Sequence, residues 1–163
     1  MQNVINIMNE LKQKKLINDW VLGGGIASKF YCNPPATKDI DFFISTDDMS
    51  LSAMNPIQEY LIENGGTRYG HMINMHGIIV DLIITDAPMI LEGMKYAVNG
   101  KVEGVMMRVL PADYLAAIAT KVNRLKDIER VIALFKAGVL SSYYWELLRR
   151  FEIAAPKIIR ELL

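Results

Sequence analysis

Three aspartates and a run of glycines are the residues of this chain whose types and spacing could do chemistry. Asp39 and Asp41 flank one isoleucine at the head of an apolar stretch that continues through Phe42, Phe43 and Ile44. In an extended strand alternate side chains point the same way, so the two carboxylates share one face while Ile40, Phe42 and Ile44 share the other. With Cα atoms roughly 6.5 Å apart, the pair suits a grip on two divalent cations about 3.5–4 Å from each other. Upstream, a short apolar strand, Trp20-Val21-Leu22, stops at Gly23-Gly24-Gly25. Glycine lets the backbone turn sharply and leaves amide N–H groups open to a ligand. The helix-compatible residues 26–31 follow, which sets helix N-terminal amides at the turn, where anions bind well. A phosphate-binding turn beside a metal-binding pair points to a site for a nucleoside triphosphate.

Asp81 is the third carboxylate. It stands inside Ile78-Ile79-Val80-Asp81-Leu82-Ile83-Ile84 and shares a strand face with Ile79 and Ile83. A carboxylate in that setting is costly unless a cation or several donors compensate it. On a strand adjacent to Asp39 and Asp41 it would complete a ligand set and take a proton from an attacking hydroxyl. A sheet edge or a salt bridge is the alternative setting.

The elements that must position these groups follow from periodicity. Residues 3–16 form an amphipathic helix with Val4, Met8 and Leu11 inward and lysines near its end. Strands are expected at 20–22 and 40–44, a helix at 51–64, and strands at 67–75 and 78–85 joined by a hairpin at His76-Gly77. Residues 88–97 read as helix and 105–110 as strand. Pro111 opens a helix whose buried face is Leu115, Ile118, Ala119 and Val122. A second periodic set runs from Leu125 to Phe135 and stops at Gly138; Ser141 or Ser142 caps the next helix, and Pro156 limits it.

The totals bound the class. The chain has 163 residues, 52% hydrophobic and 22% charged, which describes an ordinary globular protein with a real core. One cysteine excludes an internal disulfide and any multi-cysteine metal cage, in keeping with a reducing compartment. The first residues lack the pattern of a signal peptide and no apolar run is long enough to span a bilayer, so a cytoplasmic protein with no membrane partner is expected. Net charge is zero but uneven: residues 1–100 carry 7 Lys+Arg against 11 Asp+Glu, and residues 101–163 carry 11 against 7. An acidic half that gathers metal and a basic half that meets phosphates is one reading of this split; a solvated surface is the other.

In their order and strand contexts, Gly24-Gly25-Ile26-Ala27, Thr37-Lys38-Asp39-Ile40-Asp41-Phe42-Phe43 and Val80-Asp81-Leu82 resemble the minimal nucleotidyltransferase domain of the DNA polymerase beta-like superfamily. Downstream, the run from Leu110 to Leu115 and then Lys121-Val122-Asn123-Arg124-Leu125-Lys126-Asp127-Ile128 is similar to the helical segment of the AbiEii/AbiGii toxin-like branch. The likeness covers residues 18–138. It implies an α+β fold: a nucleotidyltransferase-like mixed sheet flanked by helices over residues 1–110, then a small C-terminal helical segment, 111–163, packed on that core. It implies transfer of a nucleoside monophosphate from an NTP to an acceptor hydroxyl. Asp39 and Asp41 would hold two Mg²⁺ ions, and Gly24 and Gly25 with Ser28 would cradle the β and γ phosphates. Asp81 would ligate the ion that activates the acceptor. Lys121 falls where the family has a lysine near the triphosphate; a snorkelling surface lysine is the alternative. Many relatives carry an arginine where this chain has Pro35, so that contact is either absent or supplied by Lys38 or Lys29. Toxin-like relatives imply an RNA acceptor, particularly tRNA ends, or a cognate antitoxin as partner.

Other residues read as structural. Arg124, Lys126 and Asp127 form a charge cluster with Asp127 and Arg130 paired one turn apart; His71 and His76 occupy turns or surface, and Tyr143, Tyr144 and Trp145 pack in the core. An aspartate-nucleophile phosphatase places its Asp-x-Asp after an apolar strand, not before one. Metal-dependent glycosyltransferases leave the glycine turn without a role. The remaining rival is a non-catalytic nucleotide- or protein-binding module on the same fold.

Overall fold

The computed structural model describes residues 1–161. Seven strands form one mixed sheet: β1 (Asp19–Leu22), β2 (Asp39–Ser45), β3 (Gly66–Tyr69), β4 (Met72–Met75), β5 (Ile78–Ile84), β6 (Val98–Val102) and β7 (Val105–Val109). Their order across the sheet is β3-β4-β5-β2-β1-β7-β6. β2 runs antiparallel to β1 and parallel to β5, and β1 runs parallel to β7; the outer strands join as antiparallel hairpins. The helices are α1 (Gln2–Gln13), α2 (Gly24–Ser28), α3 (Met54–Glu63), α4 (Pro88–Lys95), α5 (Ala112–Val122), α6 (Leu125–Lys136), α7 (Ser142–Arg150) and α8 (Lys157–Arg160).

Parallel neighbours at the centre of a sheet need cover on both faces. On one face α1 and α3 supply Val4, Met8, Leu11, Ile57 and Leu61, all buried. Trp20 meets Phe42 edge-to-face at 5.5 Å, and its indole N–H donates to Asn9. Over the other face lie α2, α4 and α5. Ile40, Phe42 and Ile44 are buried, as are Val80 and Leu82 of β5. These residues fix the pairing, because a one-residue slip would carry the whole apolar set to the wrong face.

Three elements differ from the expectation. The strand expected over 67–75 is two strands: Gly70, at φ +64, opens a tight turn that folds β3 onto β4. β6 has no counterpart in the sequence pattern; Asn99-Gly100-Lys101 shows no apolar alternation, and the strand exists through its pairing with β7. The helix expected from Leu51 begins at Met54. Ser141 is the cap of α7, accepting from the Tyr143 N–H, and it also bonds Asp113 at the start of α5. Among the described residues no helix is long and apolar enough to cross a membrane.

Candidate active site

The site is built on the parallel pair β2 and β5. Their register sets Asp39 opposite Ile79 and Asp41 directly opposite Asp81. Directly paired residues point to the same face, so all three carboxylates stand on the side covered by α2, α4 and α5. β1 brings the glycine turn to them: the Gly23 N–H donates to the Asp41 carbonyl at 2.9 Å, tying the turn to β2. Gly24 follows at φ +60, and a Cβ there would overlap the Asp41 carboxylate. A side chain at this position would therefore both strain the backbone and displace the acid. Gly25 is constrained as well, since a Cβ on it would lie 2.8 Å from Thr37 Cγ2.

The three acids differ in environment. The Thr37 hydroxyl donates to Asp39 Oδ1, and that bond holds the Asp39 carboxyl below its usual range. Asp41 is pushed up to about 6, first by burial and then by the charge of Asp39, with Asp81 adding to it. Burial raises Asp81 too, opposed by His71, whose Nε2 lies 3.8 Å from Asp81 Oδ1. His71 is the exposed tip of the β3–β4 turn.

A cleft of about 490 Å³ opens between Asp41 and the helices α4, α5 and α6. Phe43, Ile83, Leu115 and Ile118 form its apolar side; Lys121, Arg124, Lys126 and Arg130 form its cationic side. Lys121 thus stands in the same cleft as Gly24 and Asp41. Lys38 does not: it lines a neighbouring groove with Asp39, Tyr69, Lys126 and Arg130. Ser28 lines neither the cleft nor the groove. It is fully buried, and its hydroxyl donates to the Gly24 carbonyl at 2.9 Å, so it braces the turn from behind.

Arg124, Lys126 and Arg130 read from the sequence only as a structural cluster, and they are that and more. Buried Asp127 accepts from Arg124 at 2.7 Å and from Arg130 at 3.3 Å, holding both guanidinium groups at the cleft. The available signal is spacing: three residues either side of Asp127 place two arginines on one side of a helix. Asn123, in the left-handed conformation at φ +60, ends α5 and lets α6 swing across the carboxylates.

Among the described residues no three His, Cys, Asp or Glu side chains form a ready-made cation cage. The donor set nevertheless fits hard divalent cations. It offers carboxylate oxygens, the missing Gly24 Cβ lets the Asp41 carboxylate pack directly against the turn, and the crowded acids gain from a positive ion between them.

The seven-stranded mixed sheet flanked by helices is a nucleotidyltransferase-like fold, and solved structures share it. The chain is similar to the antibiotic-resistance factor ANT(2″)-Ia in solution, with a TM-score of 0.57 at 14% identity over 93% of each chain. It is also similar to ANT(2″)-Ia in complex with adenylyl-2″-tobramycin, with a TM-score of 0.59 at 15% identity over 92% of this chain and 95% of that one. An antigenic nucleotidyltransferase-like protein from Paracoccidioides brasiliensis gives 0.50 at 15% identity over 92% and 86%. No protein-family profile matches the chain, and no curated protein matches it in sequence.

Proposed function

We propose that this protein is a divalent-metal-dependent nucleotidyltransferase that moves a nucleoside monophosphate from an NTP to an acceptor hydroxyl. The observation that carries the reading is the register that sets Asp81 opposite Asp41 beside a glycine turn with no room for a Cβ. Asp39, Asp41 and Asp81 would hold two Mg²⁺ ions, which when bound neutralise the triphosphate and acidify the acceptor hydroxyl. The backbone at Gly24 and Gly25 lets phosphates approach closely. Lys121, Arg124, Lys126 and Arg130 balance the charge of the leaving pyrophosphate, and Lys38 stands outside, beside Asp39. The apolar wall from Phe43 to Ile118 takes the base and ribose. Asp81 receives the acceptor's proton as the hydroxyl oxygen attacks the α phosphorus.

ANT(2″)-Ia was solved with an adenylylated aminoglycoside, and transfer to a hydroxyl is the reaction the present site supports. The run from Lys121 to Asp127 supports placement on the AbiEii/AbiGii toxin-like branch. Two measurements test the proposal: thermal unfolding with Mg²⁺ and each NTP, and transfer of α-labelled NTP to RNA, protein and aminoglycoside acceptors. Wild type is expected to bind and transfer; Asp41→Asn is expected to stay folded and lose transfer. If wild type binds Mg²⁺·NTP but labels no acceptor, the binding-module reading replaces this one. Full activity in Asp41→Asn ends it.

A further inference from the structure

α7 carries none of the acids or cations of the site, yet one ring at its end enters the cleft. Phe151 lines the same cavity as Gly24, Asp41 and Lys121. It is half-buried. Phe43, the other aromatic of the cleft, is buried with its ring packed under the turn, where a Cβ on Gly23 would meet it at 2.3 Å. Phe151 is thus the aromatic face that a ligand in the cleft can reach.

The ring is held from behind. The Ile153 N–H donates to the Leu148 carbonyl and the Glu152 N–H to the Arg149 carbonyl, the paired bonds that close a helix through a left-handed residue. That residue is Glu152, at φ +51, so the chain accepts a side chain where glycine is the usual choice. The Arg150 guanidinium lies over the Phe151 ring, 5.1 Å from its centre. Arg150 does not line the cleft, so the ring stands between the guanidinium and the cavity. Glu92 of α4 in turn pairs with Arg150, and it also accepts from Tyr114 at 2.6 Å and from Tyr143 at 2.9 Å. Helices α4, α5 and α7 therefore converge on one carboxylate that braces the ring.

Among the described residues no Asn, Gln, Ser, Thr or Tyr lines this cleft, so its neutral walls offer no side-chain hydrogen bond to the edge of a base. Its polar side chains are all charged: Asp41, Asp127 held between two arginines, and four cations suited to phosphates. Resting on the nucleotidyl-transfer reading, we propose that the base of the NTP stacks on Phe151, and that the site selects bases by area and not by edge. Purines are taken over pyrimidines, and adenine and guanine alike. Every base has a π-face, so stacking on an aromatic ring tolerates any of them. An apolar pocket separates near-isosteres only weakly, whereas a site built to hydrogen-bond its ligand rejects the wrong one by orders of magnitude.

The test is titration calorimetry of the full chain with Mg²⁺ and ATP, GTP, CTP, UTP or inorganic tripolyphosphate, which has no base. Wild type is expected to bind ATP and GTP within about threefold of each other, and each about tenfold tighter than CTP or UTP. Phe151→Ala is expected to weaken ATP and GTP about thirtyfold, equivalent to about 2 kcal/mol. The same variant is expected to bind tripolyphosphate as wild type does, which also shows that it folds. Phe151→Trp is expected to keep purine binding, and the fluorescence it adds over wild type to be quenched by ATP and GTP but not by tripolyphosphate. A wild type that prefers one purine by about a hundredfold or more overturns the proposal. So does equal binding of ATP and tripolyphosphate by wild type, or an ATP affinity that Phe151→Ala leaves untouched. Fluorescence of Phe151→Trp that ATP does not quench overturns it too, whether or not Phe151→Ala folds. Each of these leaves nucleotidyl transfer intact. Binding of neither NTP nor tripolyphosphate, with no label reaching any acceptor, overturns nucleotidyl transfer itself.

Discussion

Asp41 sits where burial and two acidic neighbours disfavour its charge, which raises its carboxyl to about 6 from an ordinary 3.8. A folded-state value above the unfolded one means that the folded protein holds this proton more tightly. That stabilisation is complete below pH 3.8 and is lost as pH rises through about 6. Asp41→Asn keeps a neutral side chain at every pH, so it is expected to unfold at a higher temperature than wild type once the pH exceeds that value. The gain is on the order of 3 kcal/mol without metal, and it vanishes where the wild-type carboxyl is protonated in both states; calorimetry across this range checks it. Transfer activity is expected to fall in the same variant by roughly 10²–10³-fold. Gly24→Ala is expected to have the opposite balance. Its φ of +60 costs an alanine about 1–2 kcal/mol, seen as a lower urea midpoint, and its Cβ displaces the Asp41 carboxylate, so Mg²⁺ binding measured by titration calorimetry weakens.

At the scale of elements, α6 is tied to the site through Asp127, which is 1% exposed and bonds two arginines. Asp127→Ala is expected to cost on the order of 3 kcal/mol in denaturant unfolding. It should raise the KM for NTP more than it lowers kcat, because the freed arginines no longer face the phosphates in a fixed pose. Sequence made the strands legible where their apolar residues alternate with functional ones. β2 and β5 announce themselves because a carboxylate set among apolar strand residues is costly without a cation or donors beside it. β6 is invisible in sequence because Asn99-Gly100-Lys101 acquires strand geometry only from β7. The break at Gly70 is hidden inside Thr67–Met75, where weak alternation continues through the turn. Ser28 looks like a phosphate ligand by position, yet whether a hydroxyl faces outward or bonds its own helix depends on packing that one strand and one turn do not reveal. The α6 cations are legible as pairs but not as a wall, since their place opposite Asp39 and Asp41 requires the left-handed step at Asn123.

Across the whole molecule, the acidic first hundred residues and the basic remainder meet at one cleft, with Asp41 from the sheet on one side and cations from α5 and α6 on the other; Asp39 and Asp81 open onto the grooves beside it. A ligand that is itself negative, carried with divalent cations, satisfies both. With Mg²⁺·NTP at roughly a hundred times its dissociation constant, the folded state is expected to gain about 2.7 kcal/mol, a rise of roughly 5–10 °C in Tm. EDTA is expected to abolish that rise, and NTP without metal to give little of it. The parallel pairings have one more consequence. Asp41 waits for Asp81, and Leu22, just ahead of the glycine bend, pairs with Val109. During synthesis, then, the emerging polypeptide cannot bring Asp41 and Asp81 together, or seat the glycine bend against β7, until well past its midpoint has cleared the ribosome.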